Sequence, residues 1–277
     1  MNASSQPRRT RRRRKRAPLL PFFLLLLIAL ALLGRFVLFS SLFSAPADLP
    51  QQTREELAQL ARSDSRVSKI MDHLDRYPTQ LLELVARNPE TAQFVLDYPE
   101  VKDDPPGETV GQVTKGTFPL LMQWDSRWGY QTYGDGLMAL NGCGPTALSM
   151  VICGLTGDDT VTPWTVAQYA DQQGYYVDGA GSSWDLMRTG CEHFGLTARE
   201  LPLDKWVLNA ALNKGQPVIC SVSPGDFTTS GHFILLTGME DGKYKVNDPN
   251  RHSTSQQLWD YDTLAPQIRN LWAYSLA

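Results

Sequence analysis

Three things are scarce in this chain: C-x-x-C pairs, of which there are none, histidine, of which there are four, and acids near the start, absent before position 44. Without a C-x-x-C pair the usual ligand set of a structural zinc site is missing. The four cysteines, Cys143, Cys153, Cys191 and Cys220, are irregularly spaced. Their even number allows two disulfides outside the cytosol, but a chain of 277 residues does not depend on them. They read better as one cysteine of special setting and three small buried hydrophobes. The early lack of acids leaves a one-signed tail. Eight basic residues lie between Arg8 and Arg16, and Arg35 makes nine. The remaining 17 basic residues face all 29 acids, a balance of −12. A basic tail on an acidic body is not a nucleic-acid footprint, which needs basic residues along a face of the folded domain.

An apolar stretch follows the tail. Positions 18–43 are apolar apart from Arg35 and two serines. About 20 apolar residues suffice for a helix to cross a bilayer. Arg35 costs roughly 2.5–3.5 kcal/mol if central and less if it snorkels. The block Leu24 to Leu33 offsets that cost. We expect a transmembrane helix at 18–43 behind a cytoplasmic tail at 1–17, with the rest extracellular at the cell membrane. The rival is a cleaved signal peptide with Ala45-Pro46-Ala47 as its site, weakened by the proline.

Short helices are expected over 44–100. Thr53 and Glu56 form a candidate capping box. Val67, Ile70, Met71 and Leu74 recur at helical spacing, as do Leu81, Leu82, Leu84 and Val85. Asn88-Pro89 reads as cap and first helical residue, and Tyr98-Pro99 as an end. Such short helices are marginal alone. Their expected role is a spacer that leaves any cleft open; a cover over the cleft is the alternative. Residues 101–117, with Asp103-Asp104-Pro105-Pro106-Gly107, have linker composition. The main domain is expected at 118–277. Helical patterns come first there and strand-like runs later, which indicates an α+β fold.

The run Asn141-Gly142-Cys143-Gly144-Pro145-Thr146 leads into the apolar Ala147-Leu148-Ser149-Met150-Val151-Ile152, with Gly154 as the expected stop. Cys143 therefore sits at the start of a buried helix, where the dipole and free N–H groups favour thiolate. The flanking glycines are expected to leave room for a substrate backbone. A base is needed. His73 lies among the spacer helices, His193 within a helix and His252 in a polar loop. His232 opens the apolar run Phe233 to Gly238, a buried strand whose mouth faces a cleft. The turn Glu240-Asp241-Gly242 decides its partner. An odd loop pairs Met239 with Lys243 and puts Asp248 on the face of His232; an even loop presents Asn247. A carboxylate there would fix the imidazole tautomer and stabilise the imidazolium.

These residues resemble a known family. From Pro119 onward the chain is similar to the C39-like peptidases, a branch of the papain-like cysteine peptidases. The resemblance lies in Gln123-Trp124-Asp125, Arg127-Trp128-Gly129, Gly142-Cys143-Gly144-Pro145-Thr146, Gly231-His232-Phe233 and Asn247-Asp248-Pro249. It implies a papain-like fold, with the nucleophile on a buried helix and His and Asp on an antiparallel sheet. It implies Cys143 as nucleophile, His232 as base, Asp248 as orienter and Gln123 as oxyanion donor. Gln123 stands well upstream, with the insertion-like Tyr130 to Leu140 between. A peptide or protein substrate is implied, and no metal or cofactor. Better known members are fused to exporters and cut leader peptides; no transporter segment occurs here, so that substrate does not carry over. A transpeptidase or amidase using the same residues, or a silent peptide-binding module, is the alternative. Trp124, Trp128, Tyr130 and Tyr133 are candidates for the cleft or for the core.

Overall fold

The computed structural model describes residues 49–277, so the basic tail and the span expected at 18–43 lie outside the described residues. Among the described residues no helix is long and apolar enough to cross a membrane. Four short helices come first: α1 (Gln51–Leu60), α2 (Ser65–Met71), α3 (Thr79–Arg87) and α4 (Ala92–Val101). Leu57, Val67, Ile70, Leu81, Leu82, Val85 and Val95 are fully buried among them. The Thr53 capping box does not form, because α1 starts two residues earlier behind Pro50 and Thr53 is buried inside it. Asn88 does cap the turn Pro89–Thr91, accepting from Glu90 N. Pro99 does not end the series, since α4 runs through it to Val101. That close to a C-terminus, proline costs one hydrogen bond rather than a turn.

Beyond Val101 the expected linker has no strand or helix, but it is tied down. Gly107 N donates to Arg127 O at 2.7 Å, Val110 N to Asp159 O at 2.8 Å and Gly116 N to Gly154 O at 2.7 Å. The hairpin β1 (Thr132–Tyr133) and β2 (Gly136–Leu137) follows, then the turn α5 (Met138–Asn141) and the core helix α6 (Cys143–Thr156). Gly154 does not stop α6. A Cβ there would stand 2.1 Å from the Phe118 ring, so the glycine admits that ring. The helix ends instead at Gly157, left-handed at φ 81°.

Next come α7 (Pro163–Gln172), the small hairpin β3 (Tyr176–Val177) and β4 (Gly181–Ser182), and α8 (Trp184–Arg188). Then follow β5 (Leu196–Glu200), α9 (Lys205–Asn213), β6 (Val218–Val222), β7 (His232–Glu240) and β8 (Lys243–Asn247). The chain closes with α10 (His252–Ser255), β9 (Leu258–Trp259), α11 (Tyr261–Leu264) and β10 (Ile268–Leu276). One antiparallel sheet of six strands forms in the order β5-β10-β6-β7-β8-β9. Mixed helix and sheet is as expected.

The sheet is buried on both faces. Ile219, Phe233, Leu235, Trp272 and Tyr274 pack with α6, through Leu148, Met150 and Val151. Their alternates, Val218, Cys220, Ile234, Leu236 and Ala273, pack with α9, through Leu208, Ala211 and Leu212. A strand covered on both sides has no polar alternation, which is why β6 and β7 read as continuous apolar runs. Each fully buried Val, Leu, Ile, Phe or Met side chain among them contributes about 1.5–3 kcal/mol.

Candidate active site

Cys143 opens α6. Gly142, at φ −83° and ψ 9°, breaks α5 from α6 without capping the helix by a side chain. The glycines flanking Cys143 serve packing rather than substrate access. A Cβ on Gly142 would meet Met138 O at 2.5 Å, and one on Gly144 would meet Ser182 Oγ at 2.4 Å. Gly144 N–H and Phe233 N–H both favour a charged sulfur at Cys143. The thiol is half-buried and lines a cleft of about 420 Å³ with Gln123, Ala139, His232, Asn250 and the loop 225–231.

His232 is the first residue of β7 and Asp248 follows β8 directly. His232 Nε2 and Asp248 Oδ1 stand 2.7 Å apart, the ring 7% exposed and the carboxylate fully buried. That leaves Nδ1 as the ring nitrogen for the Cys143 sulfur, which is within hydrogen-bonding range of the imidazole.

The expected pairing of β7 with β8 is reached by a different route. The loop is even: Glu240 pairs with Lys243 around Asp241-Gly242. Both central residues have positive φ, 51° and 77°, the signature of a type I′ turn. An even loop alone would have turned Asp248 away. Between Leu236 and Gly238, however, the ladder shifts, leaving Thr237 as an extra residue on β7. Below that bulge Leu236 pairs with Val246 and Leu235 with Asn247. Asp248 then has the parity of Ile234 and of His232. Asn247 faces the other way, its Nδ2 donating to Pro119 O at 3.0 Å and Phe118 O at 3.3 Å.

Asp248 is enclosed by donors that sequence reasoning missed. Asn250 N donates to Oδ1 at 2.8 Å and Thr254 Oγ1 to Oδ2 at 2.5 Å, while Asp248 N donates to Ser255 Oγ at 2.9 Å. The signal available was Asp-Pro-Asn, a turn in which the Asp side chain accepts from an N–H two residues on.

The electrostatics follow from this contact chain. Burial opposes charge on Asp248, but His232, Thr254 and Asn250 N–H together hold its carboxyl below the usual range. Burial also opposes charge on His232, yet Asp248 and the Cys143 sulfur raise the imidazole to about 10. Burial pushes the Cys143 thiol up, but His232 and the two N–H groups bring it below its ordinary value. The remaining cysteines are buried without such partners. Burial raises Cys153 and Cys191 to about 11, and Cys220 further.

Gln123 is buried beside Cys143. The insertion-like stretch before Cys143 folds back as the β1–β2 hairpin and α5, and the Gln123 Nε2 amide donates to Ala139 O there at 2.7 Å. Gln123 Oε1 is buried without a protein partner. The aromatic candidates divide. Trp128 and Tyr133 are core, Tyr130 stacks on Phe94 at 4.2 Å, and Trp124 Nε1 donates to Asn250 O at 2.7 Å. His73, His193 and His252 are not among the residues lining the cleft with Cys143; His193 stacks on Tyr169.

The helices α1 and α3 do not stand clear of the cleft as a spacer would. Glu56, Leu84, Ala86, Arg87 and Asn88 form one of its walls. Phe94 supplies the aromatic seal: Tyr130 lies against it and donates its hydroxyl to Phe94 O at 2.8 Å.

A helix-borne thiol facing a histidine and a carboxylate on an antiparallel sheet is the arrangement of papain-like cysteine peptidases. Residues 115–275 match the Peptidase_C39 like family, and the chain belongs to that family. Solved structures similar to it include the peptidase domain of Streptococcus ComA, a bifunctional ABC transporter of a quorum-sensing pathway. It is 16% identical over 58% of this chain and 98% of that domain, with a TM-score of 0.41. A putative C39-like peptidase from Bacillus anthracis is 15% identical over 58% and 96%, with a TM-score of 0.34. A double-glycine-motif protease from an AMS/PCAT transporter, solved with the leader peptide, is 16% identical over 60% and 98%, at 0.36. No curated protein matches the chain. Family membership points to a cysteine peptidase.

Proposed function

We propose that this chain hydrolyses peptide bonds through Cys143, His232 and Asp248, with Gln123 at the oxyanion. The observation that carries this reading is the position of the His232 ring, in reach of the Cys143 sulfur on one side and 2.7 Å from Asp248 on the other. The Cys143 thiolate attacks the carbonyl carbon, and the π electrons move onto oxygen. Cys143 N–H and the second N–H of the Gln123 amide receive that oxyanion, since an amide has two donors and Ala139 takes one. The His232 imidazolium protonates the leaving amine as the C–N bond breaks, leaving a thioester on Cys143. Neutral His232 then takes a proton from water as its oxygen attacks the thioester; the C–S bond breaks, the carboxylic acid leaves, and the Cys143 thiolate and His232 imidazolium are restored. No step calls for a metal or cofactor. We further propose that residues 18–43 hold the peptidase at the cell membrane with its cleft outside, as the basic tail supports.

Limited alkylation with iodoacetamide near pH 6, well below the ~8.5 of a free thiol, tests the site. Label is expected first on Cys143, with hydrolysis of a peptide pool lost in step. Cys143→Ala should lower turnover on the order of 10⁶-fold, and Asp248→Ala less, on the order of 10⁴-fold. Preferential label on Cys153, Cys191 or Cys220, or full activity in Cys143→Ala, would overturn the assignment.

A further inference from the structure

Asp248 owes its place to the loop after it, and that loop is held from the helical segment far upstream. Asn250 is the pivot. Its N–H donates to Asp248 Oδ1, the oxygen that also meets His232. Its carbonyl accepts from Asn88 Nδ2 at 2.7 Å and from Trp124 Nε1 at 2.7 Å. One residue on, Arg251 donates to Arg87 O at 2.9 Å. Then comes α10, four residues long, carrying the Thr254 and Ser255 hydroxyls that meet Asp248. So short a helix has no stability of its own, and its first N–H groups need acceptors from elsewhere. Glu90 supplies them: Oε2 accepts from His252 N at 2.6 Å and Oε1 from Ser253 N at 3.1 Å. Asn88 is itself fixed, with its carbonyl accepting from Thr91 Oγ1 at 2.7 Å and its Oδ1 from Glu90 N.

We propose that Asn88 and Glu90 are positioning residues of this site, acting through the Asn250–Ser255 loop to hold Asp248 against His232. The inference rests on the reading of Cys143, His232 and Asp248 as the reacting set. Neither Asn88 nor Glu90 touches the sulfur or the ring. Each fixes a backbone segment whose groups saturate the Asp248 carboxylate and aim Oδ1 at Nε2. Loosening the loop lets Asp248 swing from the ring. The imidazolium then loses its main partner, and the Cys143 thiolate loses its cation. The titratable groups at the ring are Cys143 on α6 and Asp248 after β8. Glu56, Arg87, Asp226 and Arg251 lie further along the cleft. Glu90 itself is faced by His252.

The rate of Cys143 alkylation by iodoacetamide, followed against pH in the full chain, reads this without a known substrate. Glu90→Ala and Asn88→Ala should move the acid limb to higher pH by about one unit, a roughly tenfold slower reaction near pH 6. The alkaline plateau, where any thiol is ionised, should stay unchanged. Glu90→Gln keeps an acceptor and should move the limb less, in the same direction. It also serves as the reporting variant if Glu90→Ala fails to melt cooperatively. With a cleaved peptide in hand, kcat should fall while KM holds. Profiles that superimpose on the wild type, or a loss equal at every pH, would overturn the proposal. If wild-type Cys143 is not the preferred site of label, the reading of the reacting set fails instead.

Discussion

At the scale of single residues, the site is a proton shared between two acids whose ordinary strengths have been reversed. A free thiol and a free imidazole would both be largely neutral near pH 7. Here burial disfavours charge on Cys143 and His232, yet the thiol is lowered and the imidazole raised. The charged pair therefore exists between the depressed thiol value and the raised imidazole value. Activity should rise with pH as Cys143 loses its proton and fall again as His232 loses its own, a bell with its alkaline limb above the ordinary histidine range. In Asp248→Asn the imidazole loses its anionic partner, so the alkaline limb should move down and the acid limb up. Initial rates on one peptide across the pH range would check this. Unmoved limbs would dissociate Asp248 from the chemistry. Stability follows the same signs. The His232 contribution is complete below the ordinary histidine value and is lost as pH rises through the raised one; the Asp248 contribution is present above the ordinary carboxylate value and is lost on acidification.

Cys143 and His232 were legible because their neighbours are unusual: glycines about a helix start, and a histidine at the mouth of an apolar run. The groups around Asp248 were not. Asn250, Thr254 and Ser255 are ordinary loop polars whose roles depend on where their hydroxyls and N–H groups point. Asn88 and Glu90 were illegible as contributors, since some 160 residues separate them from their partners.

At the scale of elements, the β7–β8 hairpin shows two local devices cancelling. The type I′ turn sets one parity and the bulge at Thr237 restores the other. The turn was visible in Asp241-Gly242, whereas the bulge had no marker, because threonine fits a regular strand well. Deletion of Thr237 should straighten the ladder, keep the turn and slip His232 one place against Asp248. Fast alkylation of Cys143 at low pH should disappear while the protein still melts cooperatively. Retained low-pH reactivity would mean that pairing with β6 fixes His232 regardless of β8. The helix boundary misread at Gly154 has the same origin. A glycine can mark a stop or a close approach, and only the Phe118 ring at 2.1 Å from its Cβ direction distinguishes them.

At the scale of the whole molecule, the helical segment and the sheet belong to one unit, so a spacer is too small a role for α1 to α4. Their amphipathic spacing announced helices, but not the surface they would cover. The membrane proposal belongs to this scale as well. Full-length protein is expected to sediment with membranes, and protease added outside intact cells should release residues from about 49 onward. Recovery of a soluble secreted form starting near Asp48 would show cleavage instead of anchoring.

The Glu90 contact with His252 and Ser253 also sets the order in which activity can appear as the chain is made. Helices α1 to α4 are complete after roughly the first third of synthesis, yet their docking surface includes residues 250–253. Closing a loop of that length adds little entropy cost for each further doubling, but it must await the arrival of its far end. A nascent chain can thus carry Cys143 and α1 to α4 and still lack both the Asp248 carboxylate and the central strand β10. If Cys143 is the nucleophile proposed above, it stays unarmed until nearly all of the chain has emerged.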